Sequence, residues 1–412
     1  MKKIAIKLFP FLVSSLFIFP IIKENFSSLF LILLGLNLIL YKFSSKDYTF
    51  INLEILNLTI PFWLISVFSI FSSNYDESIV HIKHSLLFLF FPIIFSLLPT
   101  DLFTTKKIDW YLKILKNICL LISLIYVFSY FNQSSFEDFK KVIYGVSSFR
   151  NYIYYNFNIF VIHPTYYTAI LIVCISHSLL LIFNQKKYFE ILYVTFFIAI
   201  TFILLTKLTI VLMIFVVIIM VLNYSKLSFG KKILSVLLTF IIISLLAFYT
   251  PGIKERFQEI YMSFNKAPKG TIYDSTNVRK AIFDSSLEVY KNNWFEGVGF
   301  ENLQGKLNDV YKKNYDSSFF TEINYMTHNY YFYILLSTGL IGFLLFIYYL
   351  KNIISTCINL NFILLNVLVF NTFMICLIED YLYRQHGAFF FNLMLMTLIQ
   401  HSKAKNTNQY NS

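Results

Sequence analysis

Apolar runs long enough to cross a bilayer recur along this chain, and a polar stretch of 77 residues, Pro251 to Thr327, interrupts them. The run Ile233 to Tyr249 enters that stretch, and Tyr330 to Leu350 leaves it. A hydrocarbon core of about 30 Å takes about 20 helical residues. Within it every backbone polar group must be satisfied internally, so such runs fold as membrane helices. On that rule twelve spans are expected, over 4–22, 25–41, 53–72, 79–98, 112–131, 163–183, 189–206, 208–223, 232–250, 329–350, 356–378 and 386–400. The chain is 57% hydrophobic and 14% charged. Soluble domains carry about 25% charged residues, so a soluble interior could not hide this much apolar surface. The expected fold is all-α and polytopic, with about twelve transmembrane helices and a long helical extracytoplasmic segment. Residues 1–250 hold the first nine helices and an outer segment near 132–162. Residues 251–327 form an extracytoplasmic loop domain, 328–400 hold the last three helices, and 401–412 are a cytoplasmic tail.

Lys and Arg orient the spans, because short cytoplasmic loops carry an excess of both. With the amino terminus in the cytoplasm, the inner segments hold Lys2, Lys3, Lys42, Lys46, Lys106, Lys107, Lys186, Lys187, Lys226, Lys231, Lys232, Lys351, Lys403 and Lys405. The short outer loops hold little beyond Lys23, Lys207 and Arg384, and the long outer segment has ten basic and ten acidic residues. Both termini are therefore expected in the cytoplasm. The formal charge of +12 is spread over short Lys pairs at span ends, which argues for topology and against nucleic acid. Cys119, Cys174, Cys357 and Cys376 all lie in apolar runs without metal-ligand or disulfide spacing. Met1 to Ile22 resembles a signal peptide but lacks a small-residue cleavage site, so it reads as a retained first helix. Within the long segment, Asn277 to Tyr290 is helical in pattern, with Val278, Ile282, Ser285 or Ser286, and Val289 near one face. Asn292-Asn293-Trp294 and Gly297-Val298-Gly299 then mark a stop and a tight turn.

Five residues stand out for chemistry. Lys207 sits between two apolar runs with almost no loop around it, so it either snorkels to the interface or meets an anion. Arg279, in the outer segment, is either a solvated helix charge or a paired-donor grip on phosphate oxygens. His328 opens a span near the outer surface. There it either hydrogen-bonds at the interface or takes a proton from a hydroxyl, since histidine ordinarily titrates near neutrality. Arg384 either pairs with Glu379 or Asp380 or faces the same anion as Arg279. His163 precedes Pro164, which suits a first helical turn, so capping and packing are sufficient roles there. Trp294 and the many Tyr residues are candidates for stacking on sugars. Four candidates far apart in sequence fall on one face in a topology derived from other charges, and a cationic pocket with one base suits a phosphate- or pyrophosphate-bearing substrate.

The motifs resemble the O-antigen ligase and polymerase superfamily of bacterial membrane glycosyltransferases. The most specific piece runs from His328-Asn329-Tyr330 to Gly339-Leu340-Ile341-Gly342, similar to a His-Asn opening and a Gly-Leu-Ile-Gly ending. Arg279 to Phe283 followed by Gly297-Val298-Gly299 resembles the family's Arg…Gly-Val-Gly pattern. His163-Pro164-Thr165-Tyr166 and Arg384-Gln385-His386-Gly387 resemble two further elements. Thr206-Lys207 stands where the family often has Ser-Arg or Thr-Arg, keeping the charge without the bidentate geometry. The resemblance implies an undecaprenyl-diphosphate-linked glycan as donor, no nucleotide, no cofactor and no metal. His328 would be the base, with Arg279, Lys207 and Arg384 on the donor diphosphate and His163 and Trp294 along the substrate cavity. The implied location is the bacterial inner membrane, among membrane lipids, with the site on the periplasmic face. Three acceptors fit: a lipid A-core sugar in a ligase, a second repeat unit in a polymerase, and Ser or Thr in a protein O-oligosaccharyltransferase. A polyprenyl-linked sugar transporter is the non-enzyme alternative, which a midplane site and internal pseudo-symmetry would favour.

Overall fold

The computed structural model describes residues 2–46, 51, 53–72, 75–143, 146–157, 162–225, 228–321 and 323–410. Lys226 of the inner segments, 144–145 and 158–161 of the outer segment near 132–162, and Glu322 of the long segment lie outside the described residues. The principal helices, in chain order, begin with α1 (Lys2–Leu16), α2 (Glu24–Ser45), α3 (Ile60–Ile70), α4 (Tyr75–Leu97) and α5 (Thr105–Gln133). Then come α6 (Pro164–Gln185), α7 (Glu190–Ile203), α8 (Lys207–Tyr224) and α9 (Phe229–Tyr249). The outer segment contributes α10 (Ile253–Ser263), α11 (Ser275–Asn293) and α12 (Leu303–Asn314), and the chain closes with α13 (Tyr330–Leu360), α14 (Ile363–Ile375) and α15 (Gln385–Tyr410). A two-stranded antiparallel ladder, β1 (Val142–Ile143) with β2 (Val146–Ser147), precedes α6.

Seven helices among the described residues are long and apolar enough to cross a membrane: Phe26–Ser45, α4, α5, α6, α8, α9 and α13. The shorter apolar helices α3, α7 and α14 have identifiable ends. The third expected span is broken ahead of α3 because Pro61 has no N–H and its ring would strike the carbonyl four residues back. Thr59 takes over there, donating its hydroxyl to the Leu56 carbonyl (2.6 Å) and accepting from the Trp63 indole (2.9 Å). The expected span 356–378 is divided too. α13 runs on to Leu360, Asn361 turns left-handed (φ 44°), and only 13 residues remain for α14. The expected tail 401–412 continues α15 through Tyr410.

The chain divides into two units that are not sequential. One comprises Met1–Leu12, Leu31–Thr104 and Ile260–Ser412, and the other Val13–Phe30 and Thr105–Glu259. In the first unit α15 is central. Its residues from Ala388 to Ile399 are almost wholly buried, and it packs on α4 and on the Thr100–Phe103 turn. In the second unit α6 is central and packs against α5, α7 and α8, while α9 buries no residue and presents an apolar surface all round. A helix apolar on every face is a core element in one setting and a lipid-facing one in the other.

Candidate functional site

The first unit builds its polar centre from three segments. α14 ends at Cys376, and the chain turns tightly through Glu379 and Asp380 before α15. Gly387 lets the Tyr381 carbonyl approach α15, where a Cβ would sit 2.1 Å from that oxygen. Against this turn lies the start of α13. Asp380 accepts the Thr327 hydroxyl (2.6 Å) and the backbone N–H groups of His328 (3.0 Å) and Asn329 (3.2 Å). Asn329 caps α13 by accepting from Tyr331 and Phe332 (3.0 and 3.1 Å), and its amide donates to the Leu377 carbonyl (3.1 Å). These bonds hold His328 in a left-handed conformation (φ 44°) that a non-glycine residue rarely adopts. Burial pushes the Asp380 carboxyl above its ordinary value, and the neighbouring Glu379 adds to this, while His328 and Thr327 oppose it.

Glu379 joins the two strongest sequence candidates. Its Oε1 accepts from Arg279 Nη2 at 2.6 Å, and its Oε2 lies 3.2 Å from His328 Nδ1. The carboxylate side chain is 6% exposed, against 35% for Arg279 and 25% for His328. The Arg279 Nε finds no hydrogen-bond partner among the described residues, so the guanidinium retains donor capacity beside its carboxylate. A carboxylate on Nδ1 holds that nitrogen as the donor and leaves Nε2 as the basic nitrogen.

Arg279 reaches this point because α11 lies alongside α13. α11 starts at an Asp274 capping box and buries Val278, Ala281, Ile282, Ser285, Ser286 and Val289. The Phe283 and Phe332 rings meet edge-on at 5.4 Å, one helical turn beyond Arg279 and His328 respectively. At the far end the two chains bond backbone to backbone. Val298 N–H donates to the Leu336 carbonyl (2.8 Å), Gly299 to Ser337 (3.0 Å) and Leu340 to Phe295 (3.1 Å). α13 is interrupted at Gly339 (φ 63°) to receive the turn. A Cβ on Gly339 would sit 2.0 Å from the Phe295 oxygen, and one on Gly297 (φ 75°) 2.5 Å from the Gly339 nitrogen. The two glycine motifs are thus halves of one junction.

Arg384 is exposed, with its guanidinium over the Tyr383 ring at 5.7 Å, and its backbone N–H donates to the Asp380 carbonyl (3.3 Å). Tyr383 belongs to a ring cluster with His81 (5.5 Å), His84 (5.1 Å) and Tyr333 (5.1 Å). Trp294 follows α11, half exposed and edge-on to Phe295 at 5.4 Å.

Lys207 and His163 belong to the second unit. Leu205 is left-handed (φ 53°), so α8 starts at Lys207 directly after α7. A Gly252 turn (φ 87°) then brings α10 to that junction, where a Cβ on Gly252 would sit 3.0 Å from Leu205 Cδ1. Glu259 Oε2 pairs with both Lys207 Nζ (3.1 Å) and Arg256 Nη1 (2.7 Å). Arg150 donates to the Leu204 carbonyl at the same junction. Lys207 thus stands at a helix start with Glu259 as its counterion. His163 caps α6, its Nδ1 accepting from the Thr165 N–H at 3.3 Å ahead of Pro164, between the rings of Tyr154 (5.5 Å) and Tyr166 (5.3 Å).

Sequence reasoning missed Glu379 as a bridge, along with Arg256 and Arg150. One signal was present: Glu379 and Asp380 are the only acidic residues after Glu322. A buried carboxylate pair in such a stretch needs cationic or hydrogen-bonding partners.

A family model described as O-antigen ligase matches residues 192–347, less than half of the chain. The matched stretch includes Lys207, Arg279, Trp294 and His328, while His163, Glu379 and Arg384 lie outside it. The match supports an enzymatic role in ligase- or polymerase-type glycan handling. No curated protein matches the sequence.

Proposed function

We propose that the protein is a metal-independent inverting glycosyltransferase that moves a glycan from undecaprenyl diphosphate to a lipid A-core sugar hydroxyl. In this reading it has twelve spans, cytoplasmic termini and a site on the periplasmic face of the bacterial inner membrane. The observation that carries the proposal is the Glu379 carboxylate between Arg279 and His328. It holds an anion-binding guanidinium and an oriented imidazole within one small polar cluster, where a charged donor and a hydroxyl acceptor could be handled together.

The chemistry is a single displacement. His328 Nε2 accepts the acceptor hydroxyl proton as its oxygen bonds to the anomeric carbon. The bond from that carbon to the diphosphate oxygen breaks, and the electron pair leaves with the diphosphate. Arg279, with Arg384, neutralises the departing charge. Lys207 is assigned to donor phosphate in its own unit, with Glu259 the counterion it would exchange. The similarity of residues 192–347 to the O-antigen ligase family model supports the donor class. Contacts within the first unit also link chain ends that the charge pattern puts on one side. Lys403 bonds Glu54 (2.9 Å) and His401 bonds the Phe103 carbonyl (2.7 Å), whereas Tyr333 bonds His81 (2.8 Å) on the side of His328.

The test is reconstitution with a defined lipid-linked glycan, offering lipid A-core, a second donor molecule or an unfolded peptide in parallel. Product mass identifies the acceptor, and lipid A-core is expected to be glycosylated. Extension of the second donor or modification of the peptide instead would overturn the acceptor assignment. Arg279→Ala and His328→Ala should each stop turnover in protein that remains folded, with donor binding retained in the His328 variant. Normal turnover in either removes that residue from the mechanism.

A further inference from the structure

A cavity with a charged mouth lies wholly within the second unit, where the start of α5 meets the turn from α6 into α7. Its volume is about 760 Å³. Five lysines line it, against two carboxylates. Both carboxylates are already engaged. Glu190 pairs with the buried Lys116 and accepts the Ser178 hydroxyl (2.7 Å), and Asp109 faces His177 (3.2 Å) and Gln185 (3.3 Å). The excess charge therefore rests on Lys106, Lys107, Lys113 and Lys187.

Two of these lysines occupy an electrostatically poor position. Lys106 and Lys107 lie in the first turn of α5, which has no acidic residue to offset the positive end of the helix. Cations are disfavoured there and an anion is favoured. The rim is aromatic: Trp110, Tyr188 and Phe189 line the cavity and are 55%, 65% and 67% exposed. Exposed aromatic rings beside lysines at helix ends are the composition of a membrane interface. Next along α7, Ile191 and Leu192 are also exposed, 46% and 61%, which offers apolar surface beside the charged mouth.

We propose that this cavity binds the phosphate group of an anionic phospholipid, separately from any glycan donor. The lysines receive the phosphate, the aromatic rim sits at headgroup depth, and the acyl chains lie along the α7 surface. Basic pockets between helices on the cytoplasmic side take anionic headgroups by this chemistry, and the charge pattern assigns these two segments to that side.

The test uses full-length protein in detergent micelles with three probes. These are phosphatidylglycerol, phosphatidylcholine with the same acyl chains, and glycerol 3-phosphate, with retained molecules counted by native mass spectrometry. Each lysine near a phosphate contributes about fivefold in affinity, so Lys113→Gln with Lys187→Gln should weaken phosphatidylglycerol retention about 25-fold. Lys231→Gln with Lys232→Gln, at the start of α9 and outside the cavity lining, is the control and should retain the lipid as wild type does. Lysine-dependent retention of phosphatidylglycerol over phosphatidylcholine supports the lipid source. Lysine-dependent capture of glycerol 3-phosphate, with no preference between the two lipids, keeps the phosphate site but overturns the lipid as its source. Equal retention by the double variant and wild type overturns the site.

Discussion

Replacing Glu379 by Gln tests the bridge with the least change in shape. His328 Nδ1 lies 3.2 Å from the carboxylate. At an effective dielectric of about 20, a full imidazolium charge at that distance is stabilised by about 5 kcal/mol. Gln keeps a carbonyl oxygen to accept the Nδ1 hydrogen, and His328 is 25% exposed, so water and the amide recover roughly half. In the proposed mechanism the remaining loss of about 2–3 kcal/mol falls on the step in which His328 takes the proton. It corresponds to a drop of about 30- to 160-fold in the single-turnover rate. Arg279 loses its 2.6 Å ionic partner but stays positive, so the donor KM should change little. The assay is single-turnover transfer from a radiolabelled lipid-linked glycan, with circular dichroism to establish that the variant is folded. A rate within threefold of wild type, or a loss that appears only in KM, refutes the claim that Glu379 supports His328 during proton transfer.

Gly339→Ala should destabilise the protein by about 3 kcal/mol, combining a left-handed non-glycine residue with a Cβ 2.0 Å from the Phe295 oxygen, and should appear as a lower melting temperature in detergent. Lys207→Arg keeps the cation beside Glu259 and should retain transfer, whereas Lys207→Met should raise the donor KM about tenfold with kcat unchanged, as loss of uniform binding does. Asp380 gives a pH signature. Its carboxyl is raised in the folded state, so its contribution is fully present below the ordinary carboxylate value of about 4 and is lost as pH rises through the raised value. Melting temperature should fall across that window in wild type, and Asp380→Asn should flatten the fall while lowering stability overall by opposing an amide to the His328 N–H. An unchanged slope in that variant would show that another group titrates.

The sequence disclosed what local periodicity encodes. The face of α11 that buries Val278, Ile282 and Val289 was legible from spacing alone, because helical period and burial are both short-range properties. The capping role of His163 was legible from Pro164 for the same reason. Arg279 and His328 were recognisable as a pair only through their motifs. Glu379 was less accessible, since it lies 51 residues from His328 and 100 from Arg279. From the sequence its near neighbour Arg384 is the obvious counterion. Its selection of two distant partners depends on the α14–α15 turn being pinned under the start of α13 by Asp380. The Lys207 pairing was hidden similarly, because Glu259 reaches Lys207 only after the Gly252 turn folds α10 back.

The glycine motifs acquire a functional meaning through this geometry even though no glycine touches the polar cluster. α11 and α13 run side by side and are tied at three levels: Arg279 to His328 through Glu379, Phe283 against Phe332, and the Gly297–Gly299 turn against Leu336 to Leu340. At a rise of about 1.5 Å per residue, Gly339 is roughly 17 Å along α13 from His328. The glycine junction is nevertheless a direct backbone contact with no side chain in it to yield. A Cβ inserted there must push one helix along or away from the other, and displacements of about 1 Å at reacting groups can lower rates about 100-fold. Gly339→Ala is therefore expected to reduce the turnover of the folded fraction as well as its stability. A variant that melts early but turns over normally per folded molecule would show that the register between Arg279 and His328 is set at Glu379 alone.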